Sequence, residues 1–203
     1  MYPGNLFIIT AASGAGKTSL VSALLKLDDR VKLSVSYTTR QPRIGELQGV
    51  HYHFVEDAIF LKMLENGDFL ESAYVHGSRY GTSQKEVDKT LKDGFDVILE
   101  IDWQGAEQVR KLYPSSVSIF ILPPSMSSLN ERLNSRGQDS AEVISKRLSV
   151  AKEEMSHVSE FDYVTINDDF ETALQDLMAI VRCQRLKCEK QLNQHKDLIN
   201  TLI

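Results

Sequence analysis

The chain has 203 residues, 42% of them hydrophobic and 25% charged, with a formal net charge of -5. This is the balance of a folded protein with one compact core and room for small appended subdomains, and it excludes an intrinsically disordered chain. The negative charge argues against nonspecific binding to nucleic acid or to an anionic membrane as the main task, while leaving room for a local basic pocket that takes a small phosphate ligand.

The first ten residues, MYPGNLFIIT, have no basic region, and their apolar run is too short for a signal peptide. No run approaches the ~20 apolar residues of a membrane span. The expectation is a soluble, cytoplasmic protein. Residues 6–10 (LFIIT) read as a buried strand, and 17–27 as a helix with Leu20, Val21, Leu24 and Leu27 on one face. Residues 31–36 read as a short alternating strand, 96–101 (DVILEI) and 117–122 (VSIFIL) as buried strands, and 161–166 as the last core strand. A helix at 104–112 separates two of these. Nearly continuous apolar runs divided by helices point to an α/β fold with a parallel five-stranded sheet covered on both faces.

Two regions interrupt the alternation. Residues 38–82 are rich in Gly, Tyr, His and Arg, with strand-like pieces around a helix at 58–65, and read as an inserted subdomain. Residues 133–152, flanked by Arg132 and carrying Arg136, Lys146 and Arg147, read as a basic helical flap. From Asp169 onward the tail reads as one long amphipathic helix, with Phe170, Leu174, Leu177 and Val181 on a stripe suited to core or oligomer packing. Cys183 and Cys188 fall within that helix; five residues turn the helix by about 140°, so the thiols face apart and read as ordinary reduced cysteines. His51 and His53 read as structural or surface residues rather than zinc ligands, and Trp103 as a packing residue.

The segment TAASGAGKTSL, 10–20, carries the first chemistry. It stands between a strand and a helix and follows G-x-x-x-x-G-K-[ST], with Ala11 where that pattern begins with glycine. Gly14 and Gly16 let successive backbone N–H groups converge on phosphate oxygens, which a Cβ would crowd. Lys17 can reach the β- and γ-phosphates, the Thr18 hydroxyl suits Mg²⁺, and the helix from Lys17 turns its positive end to the anion. The extra methyl of Ala11 costs little if φ is negative there. A loop of this kind implies only that a nucleoside triphosphate binds.

Further blocks follow in order: SVSYTTRQPRIGELQGVHYHF (34–54), FLESAYVHGSRYGTS (69–83), LEIDWQGAEQVR (99–110), RLNSRGQDS (132–140) and INDDF (166–170). Together with SGAGKTS they resemble the guanylate kinase family from about residue 4 to 185. The resemblance implies a P-loop NTPase fold and transfer of the γ-phosphoryl of ATP to GMP, and to dGMP, with Mg²⁺ accompanying the ATP. It implies a core at about 4–35, 83–132 and 153–203, a GMP-binding subdomain at about 36–82 and a helical lid at about 133–152. The small-molecule partners are ATP and GMP, with no nucleic acid and no membrane; a homo-oligomer is left open.

The resemblance also distributes roles. Residues Ala11, Ala12, Ser13, Gly14, Ala15, Gly16, Lys17 and Thr18, with Asn167 near the adenine, would form the ATP side. Arg40, Arg43, Tyr52 and Tyr80 would hold the GMP phosphate. Two arginines three apart read in isolation as a solvated face, but guanidinium forks suit a dianionic phosphate, and Pro42 stiffens the segment between them. Glu71 would read the base: an ionised carboxylate only accepts, so it can take both N1–H and the exocyclic amine of guanine, whereas adenine presents a bare acceptor at N1. Ser36 and Thr82 could serve the O6/N7 edge. Glu100 and Asp102 read as two carboxylates on one strand face, with Asp102 reaching guanine and, with Thr18, the metal region; the role of Glu100 stays open. Lys17, Arg40, Arg136 and Arg147 would stabilise the transferring group, and Arg132 is a further candidate. Two other readings compete: a catalytically silent guanylate-kinase-like domain that binds protein partners, opposed by the intact loop and lid arginines, and a kinase for another nucleotide, opposed by Glu71 and Thr82.

Overall fold

The computed structural model describes residues 3–75, 77–135 and 141–203. In chain order the described residues form strand β1 (Leu6–Ala11), helix α1 (Lys17–Leu27), strands β2 (Val31–Leu33), β3 (Tyr37–Thr38) and β4 (His53–Phe54), and helix α2 (Asp57–Glu65). Strands β5 (Phe69–Val75) and β6 (Ser78–Ser83), helix α3 (Gln84–Lys92), strand β7 (Asp96–Glu100), helix α4 (Trp103–Leu112) and strand β8 (Val117–Leu122) follow. Helices α5 (Met126–Ser135) and α6 (Ala141–Ser156), a 3-10 turn (Val158–Glu160), strand β9 (Tyr163–Ile166) and helices α7 (Phe170–Arg185), α8 (Cys188–Gln194) and α9 (Lys196–Leu202) complete the chain.

The larger sheet has the order β2-β7-β1-β8-β9, and every neighbouring pair in it is parallel. Alternation along β1 divides its side chains between two layers. Phe7 and Ile9 pack with Leu20, Val21 and Leu24 of α1 and with Ala173, Leu174, Leu177 and Val181 of α7. Leu6 and Ile8 face Val87 and Leu91 of α3 and Ala106 and Val109 of α4. The expected cover on both faces fails at β9, an edge strand, where Val164 and Ile166 are exposed.

The second sheet, order β4-β3-β6-β5, is built from residues 37–83 and is mixed: β3 and β4 are parallel, the other pairs antiparallel. Its side chains close over Phe60 and Phe69, stacked 4.5 Å apart. A Cβ at Gly81 would lie 2.9–3.1 Å from those two rings, so only glycine lets β6 approach them. This sheet is joined to the core through α4. The Gln108 amide donates to the Ser72 carbonyl at 2.9 Å and accepts from the Ser72 N–H at 3.1 Å. One side chain thereby satisfies a strand position at the edge of β5.

The tail corrects the expectation of one long helix. Helix α7 ends at Arg185, where the Leu186 N–H bonds to the carbonyls of Arg182 and Cys183, and the Gln191 amide caps the Arg185 carbonyl at 2.9 Å. Cys183 and Cys188 therefore lie on different helices; both are free and exposed. The stripe Leu174, Leu177 and Val181 is buried in the chain's own core, while Phe170 is exposed. Arg185 itself pairs with Asp28 and with buried Asp96, each at 2.6 Å, tying the end of α7 to the segments entering β2 and β7.

Candidate functional site

The site forms at the carboxyl ends of β1 and β7, where ligands of open α/β sheets bind. Ala11 is the last residue of β1, paired in register with Ile121, so it has the extended backbone that any residue adopts. The substitution costs the loop nothing at that position. The strain falls instead on Gly14 and Gly16, at φ 94° and 99°. Gly14 is also confined by space, since a Cβ there would lie 3.0 Å from methyl carbons of both Leu129 and Leu133. A Cβ at Gly16 would collide with the Asn167 amide.

That amide explains the placement of Asn167. It is buried and donates to the Ala15 carbonyl at 2.7 Å, bracing the loop from behind. Arg132 adds to the brace, donating to the Asn167 carbonyl at 2.8 Å and to the Ala15 carbonyl at 3.4 Å. Lys17 reaches back to the Ile101 carbonyl at 3.4 Å, and Thr18 is exposed in the first turn of α1. Ala12 is buried in a small apolar cluster with Leu129 and Leu133 of α5 and Ile144 and Ala151 of α6. Arg147 donates to the Ser13 hydroxyl at 2.8 Å. Arg136 lies outside the described residues.

The second sheet supplies the other half. A register shift between Phe69 and Glu71 sets Glu71 opposite Thr82, whose hydroxyl donates to the Glu71 carboxylate at 2.6 Å. The Ser36 hydroxyl stands 3.5 Å from that of Thr82. Glu71 is 3% exposed, and a Cβ at Gly105 would lie 2.5 Å from its Oε2, so helix α4 presses a bare backbone against it. Burial pushes the Glu71 carboxyl up to about 7; the Thr82 hydroxyl opposes this, Asp102 adds to it, and Lys17 opposes it. A buried, acceptor-rich pair of this kind can take a ligand that offers two adjacent N–H donors.

Asp102 corrects the sequence reading. Strand β7 ends at Glu100, and Asp102 is the N-cap of α4, accepting from the Gly105 N–H at 2.9 Å. Strand alternation therefore does not align it with Glu100; helix capping sets its direction. Glu100 has one buried carboxylate oxygen with no hydrogen-bond partner among the described residues.

Arg40, Tyr52 and Tyr80 lie together. The two tyrosine rings are 5.9 Å apart, and the Arg40 guanidinium lies 5.4 Å from the Tyr52 ring centroid. Arg40 is also clamped by Glu46, at 2.8 and 3.0 Å, and Glu46 accepts from the Arg43 backbone N–H at 2.7 Å. The Arg43 side chain is exposed. His51 accepts from the Leu47 N–H at 3.0 Å and His53 stacks on Tyr37 at 4.5 Å, so both have structural partners. Trp103 stacks on His157 with centroids 3.7 Å apart.

Two carboxylates that the sequence reading passed over touch this site. Glu46 follows Gly45 within the block 34–54 that carries the resemblance, but the sequence reading takes Arg40, Arg43 and Tyr52 from that block and not its acid. Glu154, whose Oε2 accepts from the Ser13 N–H at 3.2 Å, lies in the charged run KEE and reads there as a solvated face.

Comparison with known proteins bears on the whole chain. The family model described as guanylate kinase matches residues 3–184. A guanylate kinase of Methylobacillus flagellatus is 66% identical over 200 residues, covering 98% of this chain and 99% of that protein. One from Vibrio parahaemolyticus is 55% identical over 205 residues, covering 100% and 99%. Among solved structures, the guanylate kinase from Anaplasma phagocytophilum matches with a TM-score of 0.79 at 32% identity, covering 95% of this chain and 93% of that one. A phosphate loop braced by Asn167, an acceptor pair at Glu71 and Thr82, and matches of this extent lead to one assignment: the chain belongs to the guanylate kinase family.

Proposed function

We propose that the chain is an ATP:GMP phosphotransferase, moving the γ-phosphoryl of ATP to the phosphate of GMP, or dGMP, and releasing ADP and GDP. The observation that carries this reading is the buried Glu71–Thr82 pair held against Gly105, on the same side of the core as Lys17. A carboxylate there accepts the two guanine donors and would face a lone pair of adenine, a mismatch that can cost up to about 10⁴–10⁵ in discrimination. Ser36 and Thr82 serve the remaining base edge. Arg40, Arg43, Tyr52 and Tyr80 hold the acceptor phosphate, which is itself the nucleophile, so no side chain need form a covalent intermediate.

Residues 11–18 cradle the triphosphate, with Lys17 across its terminal phosphates and Asn167 supporting the adenine end. Residues at about 36–82 act as the GMP-binding subdomain, and those at about 133–152 as the lid, whose Arg136 and Arg147 neutralise charge on the moving group and exclude water. The donor set fits Mg²⁺ carried in with ATP: Thr18 offers a hydroxyl, Asp102 a carboxylate, and Glu100 a buried oxygen with no hydrogen-bond partner among the described residues. No group of three or more His, Cys, Asp or Glu among the described residues could hold a metal, which suits an ion bound mainly by phosphates and water. Bound there, Mg²⁺ would neutralise phosphate charge. Among the described residues no helix is long and apolar enough to cross a membrane, and we place the reaction in the cytoplasm.

The test is coupled ADP release with GMP, dGMP, AMP and UMP as acceptors. Turnover with GMP and dGMP, and far less with AMP and UMP, is expected. Absence of GMP-dependent turnover would sink the proposal.

A further inference from the structure

The lid helix grips one residue of the phosphate loop from two sides. Arg147 donates to the Ser13 hydroxyl at 2.8 Å, and Glu154 accepts from the Ser13 backbone N–H at 3.2 Å. Residues 147 and 154 are seven apart, two helical turns, and so share one face of α6. The neighbouring Ala12 is buried among Leu129, Leu133, Ile144 and Ala151, with Leu148 and Met155 packed around them. The base of the lid is thus fixed to the loop by an apolar seat at residue 12 and two opposite charges at residue 13.

We propose that Glu154 is a positioning residue for phosphoryl transfer: by holding the Ser13 N–H it seats α6 on the phosphate loop and sets Arg147 at the loop's mouth. The inference rests on the reading of residues 11–18 as the triphosphate site. An ionised carboxylate has only acceptors and cannot bind a phosphate oxygen, so its contribution there passes through the loop. An N–H committed to Glu154 is withdrawn from phosphate binding, which leaves the amides of residues 14–18 for the anion. The charged groups around Glu154 are Lys17 and Asp102 of the core and Glu153 and Arg147 of its own helix; burial pushes its carboxyl up, and the Ser13 N–H and Lys17 oppose this.

The test uses the full chain with Glu154→Ala, Glu154→Gln, Arg147→Ala and the Glu154→Ala/Arg147→Ala double variant. Glu154→Ala should lower kcat about 10- to 100-fold, the range for a displaced catalytic group, with KM for GMP within about twofold. Glu154→Gln keeps an acceptor for Ser13 and should recover most of the loss. In the Arg147→Ala background, Glu154→Ala should cost less than about threefold more, because both act on one placement. Independently of turnover, the Ser13 amide resonance should titrate with pH in the wild type, with a midpoint above the usual Glu value, and stop titrating in Glu154→Gln. A wild type that turns over GMP while Glu154→Ala stays within twofold in kcat overturns the inference, as does a cycle that is additive or a Ser13 amide indifferent to Glu154. A wild type with no GMP-dependent turnover overturns the functional reading instead, and the Ser13 titration still decides whether the grip exists.

Discussion

On the proposed reading Glu71 must be ionised to accept from guanine, yet burial pushes its carboxyl up to about 7. GMP affinity should therefore rise with pH through neutrality. At pH 6 roughly one molecule in ten carries the ionised form, so GMP should bind about tenfold more weakly than at pH 8. The GMP phosphate also titrates near pH 6 and pushes in the same direction. Glu71→Gln removes the carboxylate and keeps the phosphate contribution, so the ratio of wild-type to variant Kd isolates Glu71. Calorimetric GMP titrations from pH 5.5 to 8.5 measure it, and buffers of different ionisation enthalpy should report proton release on binding near pH 6.5. The same group works against the unliganded fold. Its folded value lies above the unfolded 4.5, so the native state holds the extra proton between pH 4.5 and 7, and the stability that proton contributes is lost as pH rises through that window. The span corresponds to about 3 kcal/mol, so Glu71→Gln should be more stable than wild type at pH 8 by up to about that amount, with little difference at pH 4.5. A Kd ratio flat within twofold across the range, together with parallel stability curves, would refute this account of Glu71.

Lys17→Ala should reduce turnover by about 10³-fold, as loss of a charge-stabilising donor does, while GMP still binds; surviving turnover would displace the loop assignment. Gly16→Ala meets a left-handed φ of 99° and the Asn167 amide together, so ATP affinity and melting temperature should both fall, with at least about 1 kcal/mol lost on denaturant titration. Arg185→Met leaves Asp96 buried without its cation and should cost about 3–5 kcal/mol in urea unfolding, with specific activity of the folded protein retained.

How much of this could be read in the residues depended on local punctuation. Helix α1 and strand β8 have the bounds their sequences indicate, because a glycine loop or a continuous apolar run delimits them. Helix α3 escaped notice, since QKEVDKTLK offers only Val87 and Leu91 to the core. The signal was nevertheless present: Ser83 and Glu86 stand three apart, and the Ser83 side chain accepts from the Glu86 N–H. The break after Arg185 carries no Gly or Pro; Gln191, five residues beyond Leu186, makes it, and sequence-local reasoning has no access to that partner. In the candidate site, residue types and spacing singled out Glu71, Thr82, Arg40 and Tyr52, and the fold brings Glu71 to Thr82 and Arg40 to Tyr52. They said nothing of what surrounds each one. That Asp102 is spent in part on a helix cap, that Arg40 is shared with Glu46, and that Asn167 braces Ala15 are consequences of packing between distant segments.

The Gln108 amide spanning both backbone groups of Ser72 has a mechanical meaning. It rivets the β5 edge of the small sheet to a helix that belongs to the large one. Among the described residues the opposite edge, at β4, has no such hydrogen bond to α4. A swing of the small sheet would then turn about a line near Ser72, with least travel beside the rivet and most at the far edge. Glu71, next in sequence to that line, would keep its distance from Gly105 throughout the swing, while Arg40 and Tyr52 swept the larger arc. Base reading would be set before closure and phosphate engagement completed by it.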